Sequence, residues 1–380
     1  MKKFVNAVFL ISGTAIGAGI VALPIAAARV GILVSIIVDV IALCLAYQTS
    51  CIVIDLNREF NCGKSIVELS QIFSGRGAKY ISLVSFYLLS FALLSVYTAG
   101  AAEIVSSFLG LNFKCISLAV CVLGFFLFSL KRSYFEHVNF LIGSLFVVAM
   151  LAIFCSMPGM FKGVFREMPV TCDAMALFAF FPIIFTSFGV QNVCGYIYDY
   201  LDRDVKKIKL AFLIGISIPA IVYVLWISLT LTAAYQTDAN FYKQLLCGQV
   251  DAGEFVSFLC NLSETRYINL FFKLFSLLAI ITSAIGMGVG MMLALKELLK
   301  SDVVVRLTLA LVPLLILLCV EDAFMKVLSF GGMIATIFVI FVPVYLQKRA
   351  CESKKLAWKS VVCLILGVLI VLGDLLNKFF

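Results

Sequence analysis

The sequence predicts an all-α integral membrane protein of about eleven transmembrane helices, and three observations carry that expectation. Of 380 residues, 63% are hydrophobic and 13% charged, against about 45–50% and about 25% in soluble domains. Too little polar surface is left to cover a water-soluble body of this size. The mean hydropathy is +1.13. The apolar residues form continuous runs of about twenty, the length of a bilayer-crossing helix, not the alternating segments of a membrane barrel. In hydrocarbon each backbone polar group must pair within the structure, so helices remain. One His, no C-x-x-C pair and no Gly-rich phosphate loop argue against a soluble enzyme, a nucleic-acid binder and a secreted disulfide scaffold.

In order, the runs are 5–28, 31–54, 80–107, 114–131, 138–156, 175–198, 208–233, 267–293, 303–320, 324–346 and 357–376. The first follows Met1-Lys2-Lys3 and ends at Ala26-Ala27-Ala28, which superficially resembles a secretory signal. Its apolar stretch is too long for a signal core of about 7–15 residues, so it is expected to span. The longer connections are 55–79, 157–174, 199–207 and 234–266. The first holds an amphipathic stretch from Ser65 to Phe73, expected along the membrane interface. The last, with Asp238, Asp251, Glu254 and Glu264, is expected to form short surface helices. Cys247 and Cys260 share that connection and could pair in an oxidising compartment; the rest of the thirteen Cys read as small buried hydrophobes. Lys and Arg concentrate in alternate connections, at Lys2-Lys3, Arg203–Lys209 and Lys348–Lys359 among others. The positive-inside rule then places the N-terminus in the cytoplasm and, after eleven spans, the C-terminus outside. The net charge of +8 follows from this bias and needs no nucleic-acid partner.

Two runs are interrupted. The first contains Gly13-Thr14-Ala15-Ile16-Gly17-Ala18-Gly19, with Pro24 a turn later. Each Gly costs about 1 kcal/mol of helix propensity. Gly13 and Gly17 read either as a G-x-x-x-G packing face or as part of an unwound segment whose amides face a carboxylate. The sixth run contains Phe185-Thr186-Ser187-Phe188-Gly189 after Pro182, and then Gln191 and Asn192, which are costly at membrane depth unless paired. An odd number of runs separates the interruptions, so a second set of five enters from the opposite side. Matched interruptions in two inverted halves mark a transporter's midplane site. The expected organisation is 1–156 as the first five-helix repeat, 175–346 as the second, inverted one, and 357–376 as an extra eleventh helix. Amides of Gly17, Ala18 and Gly19 are candidates for a substrate carboxylate, and carbonyls near Ser12, Gly13 and Phe185 for its ammonium. Thr14, Ile16, Thr186 and Ser187 complete the candidate lining.

Other polar groups fall inside the runs. Asp39 is a candidate for a proton-linked role or a structural hydrogen bond. Glu103 and Lys273 fall at interfacial depth, snorkelling or paired with each other. Thr282 and Ser283 either bond to carbonyls of their own helix or offer oxygens to a small cation together with freed carbonyls of the first run. His137, beside Lys131 and Arg132, is expected to be solvated.

The first run resembles the G-x-x-I-G-A-G-x-x-x-x-P signature of the hydroxy and aromatic amino acid permeases of the amino acid–polyamine–organocation superfamily. Phe185–Gly189 resembles their sixth helix, Asp204-Val205-Lys206-Lys207 with Gly215 and Pro219 the following loop and seventh helix, and Ile281-Thr282-Ser283 with Gly286 the eighth. The resemblance implies a LeuT-type inverted repeat of five plus five helices, with interrupted helices 1 and 6 and one helix more. It implies import of an amino acid across a bacterial cytoplasmic membrane by symport, without a cofactor. The family habit points to a proton as coupling ion, and the Thr282–Ser283 hydroxyls would also suit sodium. One departure stands out: the family often continues its sixth helix as Phe-His-x-x-Ile-Pro, whereas this chain has Val190-Gln191-Asn192-Val193-Cys194-Gly195. The absent His removes one candidate proton carrier. Phe185 and Phe188 flank the break, and Tyr97 lies on the third helix, which packs against that site in the resembled fold. These aromatics favour tyrosine, then tryptophan or phenylalanine, with serine and threonine last. A serine or threonine permease remains the alternative; a channel would need a repeated carbonyl loop or a ring of charges, and neither is visible.

Overall fold

The computed structural model describes residues 2–17, 19–128, 145, 147–151, 173–262, 266–320, 322–350 and 357–379. Every regular element among them is helical. The first run is two helices, α1 (Lys2–Ala15) and α2 (Gly19–Ala27), bent by 51° at the glycine-rich stretch. α3 (Ile32–Glu59) follows after Gly31, whose φ of 84° suits a residue without Cβ. α4 (Ile66–Leu109) opens with a capping box in which Ser65 accepts from the Glu68 amide and Glu68 from the Ser65 amide. The amphipathic stretch is its first segment, bent off the span at Gly75, where φ is 77°. α5 (Phe113–Leu127) is N-capped by Asn112. The fifth run, 138–156, and the connection 157–174 fall largely outside the described residues. So do His137, Glu264 and Ala18.

The sixth run is broken as well. α6 (Ala174–Ser187) is N-capped by Asp173, stops before Phe188, and resumes as a 3-10 turn at Gln191–Val193 and α7 (Cys194–Tyr200). Pro182 contributes to this weakness, because it gives no amide to the preceding turn. α8 (Val205–Thr237) starts at the Asp204 cap. The connection after it forms two short helices, α9 (Ala239–Cys247) and α10 (Ala252–Asn261), as the acidic cap residues Asp238 and Asp251 lead one to expect. α11 (Arg266–Leu298), α12 (Asp302–Cys319) and α13 (Ala323–Thr336) follow; a π-helical turn at Ile337–Phe341 leads into α14 (Val342–Ala350), and α15 (Trp358–Phe379) ends the chain.

Among the described residues, eight helical segments are long and apolar enough to cross a membrane, or nine with the bent α1–α2 pair. Leu311, Leu315 and Leu318 on α12 and Ile365, Leu369 and Leu372 on α15 are exposed, as suits a surface solvated by lipid. The core lies around the two breaks. α8 packs against α1, α2 and α3, and α13 against α4 and α6. Gly215 and Gly332 allow this approach: a Cβ at Gly215 would meet Ile11, and one at Gly332 the Pro182 carbonyl.

Two possibilities that the sequence leaves open are not realised. Cys247 and Cys260 do not pair. Both are free thiols, Cys247 exposed at the end of α9 and Cys260 buried in α10, with its Sγ 3.6 Å from the Asn269 carbonyl. Nor are Glu103 and Lys273 held by each other as the polar contacts fall: Glu103 Oε2 accepts from the Ala252 amide at 3.1 Å, and Lys273 Nζ lies 4.4 Å from the centre of the Phe108 ring. Helix α10 supplies an unpaired N-terminal amide, which a carboxylate satisfies.

A candidate site where two broken helices meet

At the first break Ile16 and Gly17 leave the helical path. The Ile16 amide still reaches the Ser12 carbonyl, at 3.0 Å, and the Ile20 amide turns to the Gly17 carbonyl, at 3.0 Å. At the second, the Phe188 amide bonds back to Phe185, the Gly189 amide to Thr186, and the Val190 amide to Phe188. Two helices therefore end here, α1 at Ala15 and α6 at Ser187, and each termination leaves carbonyls without a partner in its own helix.

α8 joins them. The Tyr223 hydroxyl lies 2.7 Å from the Ala15 carbonyl and 3.2 Å from the Ser187 carbonyl, and it is the donor to both. One turn on, the Trp226 indole N–H donates to the Ile20 carbonyl in α2. Tyr223 and Trp226 are both among the fully buried large side chains. The Phe188 ring meets the Tyr223 ring edge-on, at 5.4 Å between centroids and 76° between planes.

The glycines of the first break have different surroundings. A Cβ on Gly17 would collide with Ser283 of α11, and one on Gly19 with Ser187 and, at 3.3 Å, the Tyr223 hydroxyl. Gly13 has nothing within 4 Å. Gly17 and Gly19 thus allow the backbone to approach two serines, while Gly13 borders open space. Thr14 is exposed, with its hydroxyl on the Leu10 carbonyl at 2.7 Å. Ser12 Oγ bonds to the Gly215 carbonyl at 2.9 Å, tying α1 to α8, and Ile16 is buried. Phe185 and Phe188 are wholly buried. Thr186 bonds back to the Pro182 carbonyl, and Ser187 Oγ to Ile183. Tyr97 is half-buried against the core.

Thr282 Oγ1 bonds to the Leu278 and Ala279 carbonyls, and Ser283 Oγ to Ala279 at 3.0 Å. Both hydroxyls are satisfied within their own helix, yet Ser283 lies directly against Gly17. Asp39 on α3 is 1% exposed and its Oδ1 has no hydrogen-bond partner among the described residues. Asp39 and Tyr97 both lie within electrostatic range of Tyr223. Gln191, where the resembled family often has His, is buried and donates to Thr49 Oγ1 at 2.9 Å, linking the second break to α3. Away from the breaks, Arg29 and Asp173 pair at 2.7 Å, joining the far end of α2 to the cap of α6. This hydrogen bond holds the Asp173 carboxyl below the usual carboxylate range.

Sequence reasoning located both breaks but missed Tyr223 and Trp226. The available signal was a Tyr and a Trp one turn apart inside an apolar run: both carry a polar tip that must be paired when buried.

Spans broken in mid-length, with backbone carbonyls turned inward, are the build of a membrane transport protein. A family model described as the tryptophan/tyrosine permease family matches residues 1–377. The chain belongs to that family and is a membrane permease, not an enzyme. Among similar proteins are the tyrosine-specific transport system 1 of Haemophilus influenzae, 25% identical with 97% of this chain and 96% of the relative covered, and the tryptophan-specific transport protein of the same organism, at 23%, 90% and 87%. The glutamine transporter 2 of Aliivibrio fischeri is 24% identical, with 92% and 91% covered. A crystal structure of a mutant manganese transporter from Eremococcus coleocola superposes with a TM-score of 0.58 at 11% identity, covering 98% of this chain and 85% of the other. That likeness concerns the fold alone, which is LeuT-like.

Proposed function

We propose that this permease imports an aromatic amino acid, tyrosine first and tryptophan or phenylalanine second, across a bacterial cytoplasmic membrane. The reading rests on the convergence of two helix breaks lined by Phe185, Phe188 and Tyr223, and it agrees with relatives named for tyrosine and tryptophan. A free amino acid carries an ammonium and a carboxylate, which suit helix-end carbonyls and amides respectively. The start of α2 at Gly19 offers the amides, and the ends of α1 and α6 the carbonyls. The fold is read as two inverted repeats, 1–156 and 175–346, with 357–376 added, the N-terminus in the cytoplasm and the C-terminus outside. Transport is driven by symport, with a proton as the coupling ion and Asp39 as its carrier, since a buried carboxylate without a full set of partners is poised to bind one. Sodium held by Thr282, Ser283 and the carbonyls of the first break is the alternative.

A second substrate reading, a smaller neutral amino acid, is favoured by the relative named as a glutamine transporter. Exchange assays on purified protein in vesicles decide between them. Labelled tyrosine is loaded, and all twenty amino acids compete. Tyrosine and tryptophan should compete best. Serine or glutamine outcompeting tyrosine at equal concentration overturns the aromatic assignment, and exchange of no amino acid overturns the transport reading.

A further inference from the structure

Tyr223 holds a place that its chemistry does not fill. Ala15 is the last residue of α1 and Ser187 the last of α6, so two helix C-termini, each carrying about half a negative charge, point at one spot. What lies between their carbonyls is a single neutral hydroxyl with one proton to share, at 2.7 Å and 3.2 Å. A hydroxyl donates one hydrogen bond, whereas an ammonium donates three and brings a full positive charge. The backbone of Gly19 closes the same spot, since a Cβ there would lie 3.3 Å from the hydroxyl.

We propose that the Tyr223 hydroxyl is a placeholder: it occupies the Ala15 and Ser187 carbonyls in the empty carrier, and the substrate ammonium displaces it on binding. This rests on the amino acid transport reading above. Displacement gives the hydroxyl two tasks with opposite effects. It competes with substrate, which weakens binding. It also satisfies two buried carbonyls while the carrier is empty, which eases the return step that net uptake requires and exchange does not. A Tyr holding the fold together in a purely structural way would lack this asymmetry.

The test is Tyr223→Phe, which keeps the ring against Phe188 and removes only the hydroxyl. Equilibrium binding of labelled tyrosine to the purified full chain should become about two- to tenfold tighter, the range of one net hydrogen bond no longer displaced. In vesicles, net uptake should fall severalfold more than exchange does. A second variant guards against a folding defect: 3,5-difluorotyrosine at position 223 preserves shape and strengthens the donor, and it should weaken tyrosine binding. Unchanged or weaker binding in Tyr223→Phe, equal losses of exchange and net uptake, or a shift in the same direction for both variants overturns the placeholder. When wild-type protein exchanges amino acids normally, such a result overturns this inference alone; failure of wild-type exchange overturns the transport reading and this one together.

Discussion

Phe188 is wholly buried and meets Tyr223 edge-on, so its substitution tests both packing and recognition. Edge-to-face pairs contribute about 0.5–1.5 kcal/mol beyond buried area. Phe188→Leu keeps most of the apolar volume and should raise the KM for tyrosine uptake by about two- to tenfold, with protein level and chromatographic behaviour unchanged; an unaltered KM would remove Phe188 from the side-chain pocket. The Gly13–Gly19 and Phe185–Gly189 stretches were legible in the sequence because weak helix propensity is a local property. The partners of those stretches were not. Tyr223 lies 208 residues from Ala15 along the chain, and no periodicity links the two. Substitutions at Gly17 need care for the same reason: a larger residue there strikes Ser283, so lost uptake would not separate substrate binding from helix packing.

Helix α10 is held at its start by a span. Glu103 accepts the Ala252 amide, and Gly253 lies so close that a Cβ would strike the Glu103 carbonyl. Glu103→Ala should loosen α10 by about 0.5–2 kcal/mol, the worth of a lost helix cap, seen as faster amide hydrogen exchange confined to residues 252–261; Glu103→Gln, which keeps an acceptor, should lose less. An equal effect in both variants would assign the role to charge alone. The Arg29–Asp173 pair connects the outlying ends of α2 and α6, with side chains 41% and 40% exposed. Because the folded-state pKa of Asp173 is lowered, its contribution is complete above the free carboxyl value of about 3.9 and is lost as pH falls through the lowered value. Asp173→Asn should therefore cost at most about 1 kcal/mol of stability at neutral pH, and the pair should leave no trace in a pH–uptake profile between 5 and 8. Here the sequence reading placed the elements better than their joints. It foresaw short helices in 234–266 and the amphipathic stretch after Ser65. It did not foresee that this stretch runs on into α4 through one bent glycine, because the bend depends on a backbone angle at Gly75 and not on hydropathy.

At the scale of the molecule, composition and run length were sufficient for the class, since no water-soluble fold hides this much apolar surface. Direction and driving force come from subtler differences. If a proton drives uptake, a protonophore should reduce tyrosine accumulation severalfold, and removal of sodium should leave it intact; an absolute sodium requirement lost in Ser283→Ala would favour the hydroxyl site instead. Orientation can be read from Cys247, a free and exposed thiol. With the N-terminus in the cytoplasm, a membrane-impermeant maleimide should label Cys247 in intact cells and lose that labelling in Cys247→Ser. Labelling that requires permeabilised cells would reverse the topology.

The bond from Trp226 to Ile20 has an optical consequence. The chain contains two Trp: Trp226 is 1% exposed and anchored just beyond the first helix break, and Trp358 is 71% exposed at the start of α15. Replacing Trp358 with Phe leaves one indole, whose emission is that of a dry, hydrogen-bonded fluorophore. Any movement of α2 against α8 changes that hydrogen bond and the polarity around the ring. The protein thus contains its own dye beside the first helix break, and stopped-flow fluorescence of the single-Trp protein should show tyrosine binding as a saturable shift in wavelength or intensity, without a label attached.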